Sequence, residues 1–181
     1  MIRIIGGIYR HRLIDQPSLE TTRCTKDIAK EGLFNSLGDI SNKSFLDLFS
    51  GSGSIGIEAY SRGAKPVYLN DNDREVKRTI MRNLMALGIS DIEVTCLNDK
   101  DCIKAIGQKS IKFDYVFLDP PYKFKVTNDY LENMIKLNVA DMHTCFIIES
   151  DTKLDTNDFS MYNIKELKYG KSLMSILKRK A

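Results

Sequence analysis

The hydrophobic pattern changes character near residue 44. Before it, residues 2–5 and 8–14 read as two short extended segments around a Gly6-Gly7 turn, and an irregular stretch around Pro17 follows. Thr25 is placed to cap a helix running to about Leu37, with Ile28, Leu33, Phe34 and Leu37 on one face and Gly38 at its end. From Ser44 onward, short apolar runs alternate with helical spacings. Strands are expected over 45–49, 67–69, 92–97, 113–118 and 145–149, and helices over 54–62, 74–87, 99–107 and 127–137. In the helix over 74–87, Val76, Ile80, Leu84 and Leu87 form the apolar stripe, and Met81 and Met85 are expected to fill core space beside it. Two last extended segments, 162–168 and 172–178, flank Tyr169-Gly170 and predict a hairpin.

Strands that alternate with helices need right-handed crossovers, which give a mostly parallel sheet covered on both faces. The expected fold is therefore a doubly wound α/β domain with a small N-terminal extension, to which the final hairpin adds an antiparallel edge strand. The chain divides into residues 1–38, a hairpin and helix, and residues 39–181, the main domain.

Composition narrows the class. Of 181 residues, 43% are hydrophobic and 28% charged, as in an ordinary globular chain with a sizeable core. No run of about 18 apolar residues suggests a membrane span, and the first residues lack the pattern of a signal peptide, so a cytoplasmic protein is expected. Cys24, Cys96, Cys102 and Cys145 are scattered, and with only His11 and His143 beside them no metal-ligand cluster can be read. The net charge is only +3, but residues 1–30 hold six Lys/Arg against three acids, and residues 165–181 hold six against one. Basic ends around an acidic middle suit a polyanion approaching one side.

The acids of that middle fall in register. Asp47, Asp71, Asp99 and Asp119 stand at or just past four successive strand ends, where ligands of doubly wound sheets bind. Gly51-Ser52-Gly53-Ser54-Ile55-Gly56 matches G-x-G-x-x-G, a weak signal by itself. Asp47 lies four residues before Gly51. A carboxylate there repels the pyrophosphate of a dinucleotide and favours the sulfonium and ammonium of S-adenosylmethionine. Asp71 is placed to accept from ribose hydroxyls, and Asp99 either to accept from the adenine amino group or to cap the next helix. Phe49, Ser52, Gly53 and Asn72 complete the candidate cofactor-binding set.

Asp119-Pro120-Pro121-Tyr122 bears most directly on the chemistry. The prolines fix the backbone after an apolar strand and remove donors, leaving carbonyl acceptors; Asp119 adds a carboxylate and Tyr122 a stacking surface. A flat heterocycle with an exocyclic amino group needs that set. Hydrogen bonds from the amine to Asp119 and to the Pro120 carbonyl would localise its lone pair, and alignment with an activated methyl would do most of the rest.

Beyond these motifs, the chain resembles, nearly end to end, the bacterial small-subunit (16S) rRNA guanine-N2 methyltransferases of the RsmD type. The resemblance rests on Arg3-Ile4-Ile5-Gly6-Gly7 with Arg10, Arg12 and Leu13, and on Arg23-Cys24-Thr25-Lys26-Asp27 with Lys30-Glu31 and Leu33-Phe34-Asn35. Cys24 stands where the family has proline, Lys26 where it has a second threonine, and Asn70 is a polar residue just before the family acid. The resemblance implies a class I, Rossmann-like methyltransferase fold of seven strands with an antiparallel terminal strand, and S-adenosylmethionine as cofactor. It implies methylation of one guanine N2 in 16S rRNA within an assembling small-subunit particle, by a monomer that needs neither metal nor membrane. Arg3, Arg10, Arg12, Arg23 and Lys26 would then contact phosphates, and Tyr122 would receive a base splayed from its stack. Three other readings stay open: a DNA adenine-N6 methyltransferase, a NAD-linked dehydrogenase and a non-catalytic RNA-binding assembly factor.

Overall fold

The computed structural model describes residues 1–17, 27–121, 123–170 and 172–180. Thr25, Cys24, Arg23 and Lys26, and Tyr122, all singled out above, lie outside the described residues. The chain runs β1 (Ile2–Arg3), β2 (Leu13–Ile14), α1 (Asp27–Leu37), β3 (Phe45–Asp47), α2 (Ser54–Ser61), β4 (Val67–Asn70), α3 (Arg74–Leu87), β5 (Ile92–Thr95), α4 (Asp99–Gln108), β6 (Tyr115–Leu118), α5 (Asn128–Lys136), β7 (Cys145–Ser150), β8 (Tyr162–Tyr169) and β9 (Ser172–Arg179). The main sheet has seven strands in the order β5-β4-β3-β6-β7-β9-β8. All pairs from β5 to β7 are parallel, while β9 is antiparallel to both its neighbours.

Strand residues alternate between two apolar clusters, as a sheet covered on both faces requires. Phe45, Val67, Leu69, Phe117 and Ile147 belong to one, with α2, α3 and the N-terminal segment over them. Leu46, Leu48, Val116, Leu118, Phe146 and Ile148 belong to the other, under α4 and α5. Ile2, Ile4, Ile14, Leu33 and Phe34 lie in the first cluster, so the N-terminal hairpin and α1 share a core with the sheet.

Three expectations need correction. The extended segment foreseen over 8–14 reduces to Leu13–Ile14, because residues 6–11 form a tight turn with Gly7 and His11 at positive φ. The antiparallel edge strand expected of the hairpin is present as β8, while the last strand of the chain lies inside the sheet. Leu173, Met174, Ser175, Ile176 and Leu177 of β9 are all buried, so this strand inserts between β7 and β8. The edge falls to β8, whose exposed Lys165, Glu166 and Lys168 suit it for water. Ile28 is 64% exposed, and the inner face of α1 is made by Ala29, Lys30, Leu33 and Phe34. Met81 and Met85 point outward, 48% and 78% exposed. No helix among the described residues is long and apolar enough to cross a membrane, and none of their His, Cys, Asp and Glu side chains gather in threes to hold a metal.

Candidate active site

The chain reverses direction across the sheet between β3 and β6, opening a crevice at their carboxyl ends. Asp47 is the last residue of β3 and pairs in register with Phe117. A small cavity of about 30 Å³ there is lined by Asp47, Phe49, Gly51, Ser52 and Asp119, with Ser50, Ser54, Ile55 and Phe117. Five of the residues expected to bind cofactor or substrate thus meet on one wall.

Turn geometry explains why glycines are needed. Gly53 precedes α2 with φ 77°, a conformation that costs a side-chain-bearing residue, and its N–H donates to the Ser50 carbonyl at 2.7 Å. Gly56 serves packing instead, since a Cβ there would fall 2.0 Å from Leu69 Cδ2. Its N–H donates to Asp47 Oδ2 at 3.2 Å.

Asp47 is wholly buried, and its Oδ1 has no hydrogen-bond partner among the described residues. Burial pushes its carboxyl well above the ordinary range. The Gly56 N–H opposes that shift, while Asp119, Asp71 and Glu149 reinforce it by repulsion. A buried acceptor without a donor, among other acids, is a place for a cation that also donates hydrogen bonds. The ammonium of S-adenosylmethionine meets that description, so the residues present fit the group.

Asp71 lies at the mouth of the same turn. Its Oδ2 accepts from the Gly51 N–H at 3.0 Å and its Oδ1 from the Asp73 N–H at 3.1 Å. Burial raises its pKa against those backbone donors. Each oxygen retains a lone pair for a ligand hydroxyl. Asn72 beside it is exposed. Asp99 is the first residue of α4 and not its cap. Asn98 takes that role, accepting from the Asp101 N–H at 2.9 Å. Asp99 Oδ2 accepts instead from the Tyr130 hydroxyl at 2.8 Å, and burial and this carboxylate together raise the Tyr130 pKa.

Within the D-P-P stretch, the Pro121 carbonyl closes a turn by accepting from the Phe124 N–H at 2.8 Å. Among the described residues no group donates to the Pro120 carbonyl.

Several residues that build the site were missed. Asn70 is 2% exposed and satisfies its whole side chain. Its Nδ2 donates to the carbonyls of Leu48 (3.1 Å) and Leu97 (3.0 Å), and its Oδ1 accepts from Thr95 Oγ1 (2.7 Å) and the Leu97 N–H (3.2 Å). One amide therefore ties the tips of β3, β4 and β5 together. Phe124 packs between Phe49 and Tyr130, with ring centroids 5.8 and 5.2 Å away, and forms an aromatic wall beside Asp99. Glu149, on β7, adds a further acid to the field around Asp47 and accepts from Ser172 Oγ at 2.6 Å. The only signal for Phe124 in the sequence was an aromatic just after D-P-P-Y; for Asn70 it was a polar residue ending an apolar strand.

The expected RNA-contacting arginines are reached through the N-terminal arm. The Ile5 N–H donates to Glu58 Oε2 at 2.9 Å, the Tyr9 N–H to Ser61 Oγ at 2.9 Å, and Ser61 Oγ to the Gly6 carbonyl at 2.6 Å. Buried Lys30 donates to the Arg3 carbonyl. The backbone is pinned to α1 and α2 while the side chains of Arg3, Arg10 and Arg12 stay exposed. They lie on the outer surface and do not enter the crevice cavity.

This strand order, with an acid ending the first strand of the parallel set before a glycine-rich turn and a D-P-P stretch ending the fourth, defines a class I, Rossmann-like methyltransferase. Within that class the chain belongs to the family described as Conserved hypothetical protein 95, which it matches over residues 2–178. It is 35% identical over 153 residues to ribosomal RNA small subunit methyltransferase D of Haemophilus influenzae, covering 83% of this chain and 79% of that one. It is 37% identical over 123 residues to the Escherichia coli protein of the same name, covering 67% of this chain and 61% of that one. Among solved structures, the Escherichia coli protein yhhF matches with a TM-score of 0.80 and 28% identity, over 99% of this chain and 98% of that chain.

Proposed function

We propose that this protein transfers a methyl group from S-adenosylmethionine to the exocyclic N2 of one guanine in 16S rRNA, as a monomer acting on an assembling small-subunit particle in the cytoplasm. The observation that carries the reading is the cavity that Asp47 and Asp119 line together, with Asp47 buried and its Oδ1 without a donor among the described residues. The names of the relatives support rRNA as the substrate class.

S-adenosylmethionine supplies, when bound, an electrophilic methyl on a sulfonium. Asp47 would hold its ammonium, Asp71 its ribose hydroxyls, and Asp99, oriented by Tyr130, its adenine amino group. Gly51, Ser52 and Gly53 would shape the turn that receives it, with Phe49 and Phe124 along one side and Asn72 at the rim. Asp119 would accept one hydrogen of the guanine amine and the Pro120 carbonyl the other. That pairing draws the nitrogen lone pair out of conjugation and aims it. Pro121 keeps the turn rigid, and Tyr122 would offer its ring to the base. The amine loses its proton only as the new bond forms, so a histidine base is unnecessary. Arg3, Arg10, Arg12, Arg23 and Lys26 would engage phosphates, which position the RNA without reading its sequence.

Methyl transfer from labelled cofactor to small-subunit particles, naked 16S rRNA and duplex DNA tests the reading, with the methylated nucleoside identified by mass spectrometry. N2-methylguanosine from rRNA or particles is expected. N6-methyladenosine from the DNA would favour the adenine enzyme, and cofactor binding without any transfer would favour an assembly factor.

A further inference from the structure

Helix α3 is two-faced. Val76, Thr79, Ile80, Asn83, Leu84 and Leu87 are buried, whereas Arg74, Arg78, Met81, Arg82 and Met85 are exposed and Lys77 half-exposed. The exposed set recurs at three- and four-residue spacings, which puts it on one side of the helix. An open groove of about 510 Å³ runs along it, lined by Arg74, Lys77, Arg78, Met81 and Arg82.

The side-chain partners these cations have lie on α3 itself. Arg78 reaches Glu75 at 3.6 Å and Arg82 donates to Thr79 Oγ1 at 3.1 Å. Among the described residues, the side chains of Arg74 and Lys77 have no hydrogen bond or ion pair. Their placement also works against the helix. A helix favours acids in its first turn and bases in its last; α3 has Asp73 and Glu75 at its start, but its bases Arg74, Lys77 and Arg78 crowd the same end and none stands in its last turn. The Arg74–Arg78 and Arg78–Arg82 spacings set like charges side by side, which destabilises a helix. A pattern that helix stability does not explain points to a polyanion outside.

The N-terminal arm continues the stripe. Arg12 Nη2 donates to the Ala86 carbonyl at 3.4 Å, the Asp15 N–H to Asn83 Oδ1 at 2.8 Å, and Asn83 Nδ2 to the Asp15 carbonyl at 2.9 Å. Arg12 therefore stands at one end of the helix and Arg74 at the other, roughly 18 Å apart by helical rise. The Arg74 end lies three residues beyond Asp71, at the rim of the crevice. Met81 and Met85 place soft apolar surface between the charges, suited to the ribose or base of a nucleotide.

We propose that the outer face of α3, through Arg74, Lys77, Arg78 and Arg82, is an RNA-phosphate contact surface continuous with Arg12 and leading to the crevice. This rests on the rRNA reading above and extends its footprint to a helix that the sequence motifs do not touch.

The test is binding of the full chain to in vitro transcribed 16S rRNA over a range of KCl concentrations, with S-adenosylmethionine affinity measured in parallel by calorimetry. Lys77→Gln with Arg78→Gln should weaken RNA binding about tenfold near 0.1 M salt and lower the slope of log K against log salt by about 2. Cofactor affinity should not change. Lys77→Gln alone should lower the slope by about 1, and it serves as the variant if the double substitution melts early. A wild-type slope in the variants, with the parent protein binding and methylating rRNA normally, overturns the α3 surface and leaves the enzyme reading intact. A parent protein that neither binds nor methylates 16S rRNA, naked or in small-subunit particles, takes both down. Retained RNA binding with lost binding to phosphatidylglycerol vesicles would give the face to a membrane and also overturn the proposal.

Discussion

The carboxyl end of the sheet and the outer flank made by α3 and the N-terminal arm both concentrate charge, of opposite sign, and they hold it in opposite ways. At the sheet end, Asp47 is sealed from water, short of a donor and pressed upward in pKa by its neighbours. On the flank, Arg10, Arg12, Arg74, Arg78 and Arg82 stand in solvent on backbone fixed by hydrogen bonds. A buried charge is costly and acts over a few ångströms, so it suits a ligand that must be set in one pose. Exposed charge costs the fold little and acts over about a Debye length, roughly 8–10 Å at ordinary salt, so it suits capture of a large polyanion. The crevice should therefore fail sharply when one atom changes, and the flank by degrees.

Asp119→Ala is the sharpest test of the crevice. It should lower the methyl-transfer rate roughly 100- to 1,000-fold, the effect of deleting one preorganised polar group at a reacting centre, with cofactor affinity nearly kept. Single-turnover transfer together with calorimetry separates the two, and a normal rate would remove Asp119 from the chemistry.

Asp47→Asn should weaken S-adenosylmethionine binding roughly ten- to a hundredfold, the range for losing a charged hydrogen-bond partner. The fold should respond in the opposite sense. Because the folded carboxyl holds its proton above the unfolded value of 3.8, the native state binds more protons, and stability falls as pH rises from that value through the folded pKa. Asparagine can still accept from Gly56 and removes that penalty. The variant should melt higher than the parent at pH 8, and the gap should close as pH approaches 4. A lower melting point at pH 8 would mean the carboxylate already has a counter-charge in the free protein.

The difference between the two regions also explains what could be read in the chain. Asp47, Asp71, Asp99 and Asp119 were legible because each follows an apolar strand, and strand ends in a doubly wound sheet converge. The structure gathers Asp47, Asp71 and Asp119, but Asp99 is engaged by Tyr130, 31 residues away. Asn70 was seen only as a tolerated oddity because its partners Leu48, Thr95 and Leu97 sit 22 to 27 residues away. Periodicity placed α3 to the residue, yet Met81 and Met85 were assigned inward. Each follows a buried residue, Ile80 or Leu84, by one position, which on a helix turns it about 100° toward the arginines. Hydrophobicity alone does not report that rotation. The hairpin was found, but not which of its strands lies inside, since β9 is identified as internal by burial on both faces and not by any local signal.

Asn70→Ala asks whether the crevice is held by this one amide. Four hydrogen bonds would be lost and the buried Leu48 carbonyl left without its donor, a cost of about 1–3 kcal/mol and a melting point lower by several degrees. Cofactor affinity should fall with it, because the Asn70 amide holds the Leu48 carbonyl at the start of the turn after Asp47. Destabilisation without a change in affinity would make Asn70 a core residue only.

Arg10→Glu should produce the smallest effect and the cleanest contrast. Its side chain is exposed, so the melting point should hold within the span of ordinary surface substitutions, about ±0.5 kcal/mol. Binding to 16S rRNA should weaken several-fold, up to about tenfold, and the loss should shrink as salt is raised, because a screened contact has less to lose. Affinity for S-adenosylmethionine should stay put, since Arg10 is on the arm and not in the crevice. A loss that does not depend on salt would mean that the arm works by shape, through the Gly7 turn seated on Ser61, and that its charge is incidental.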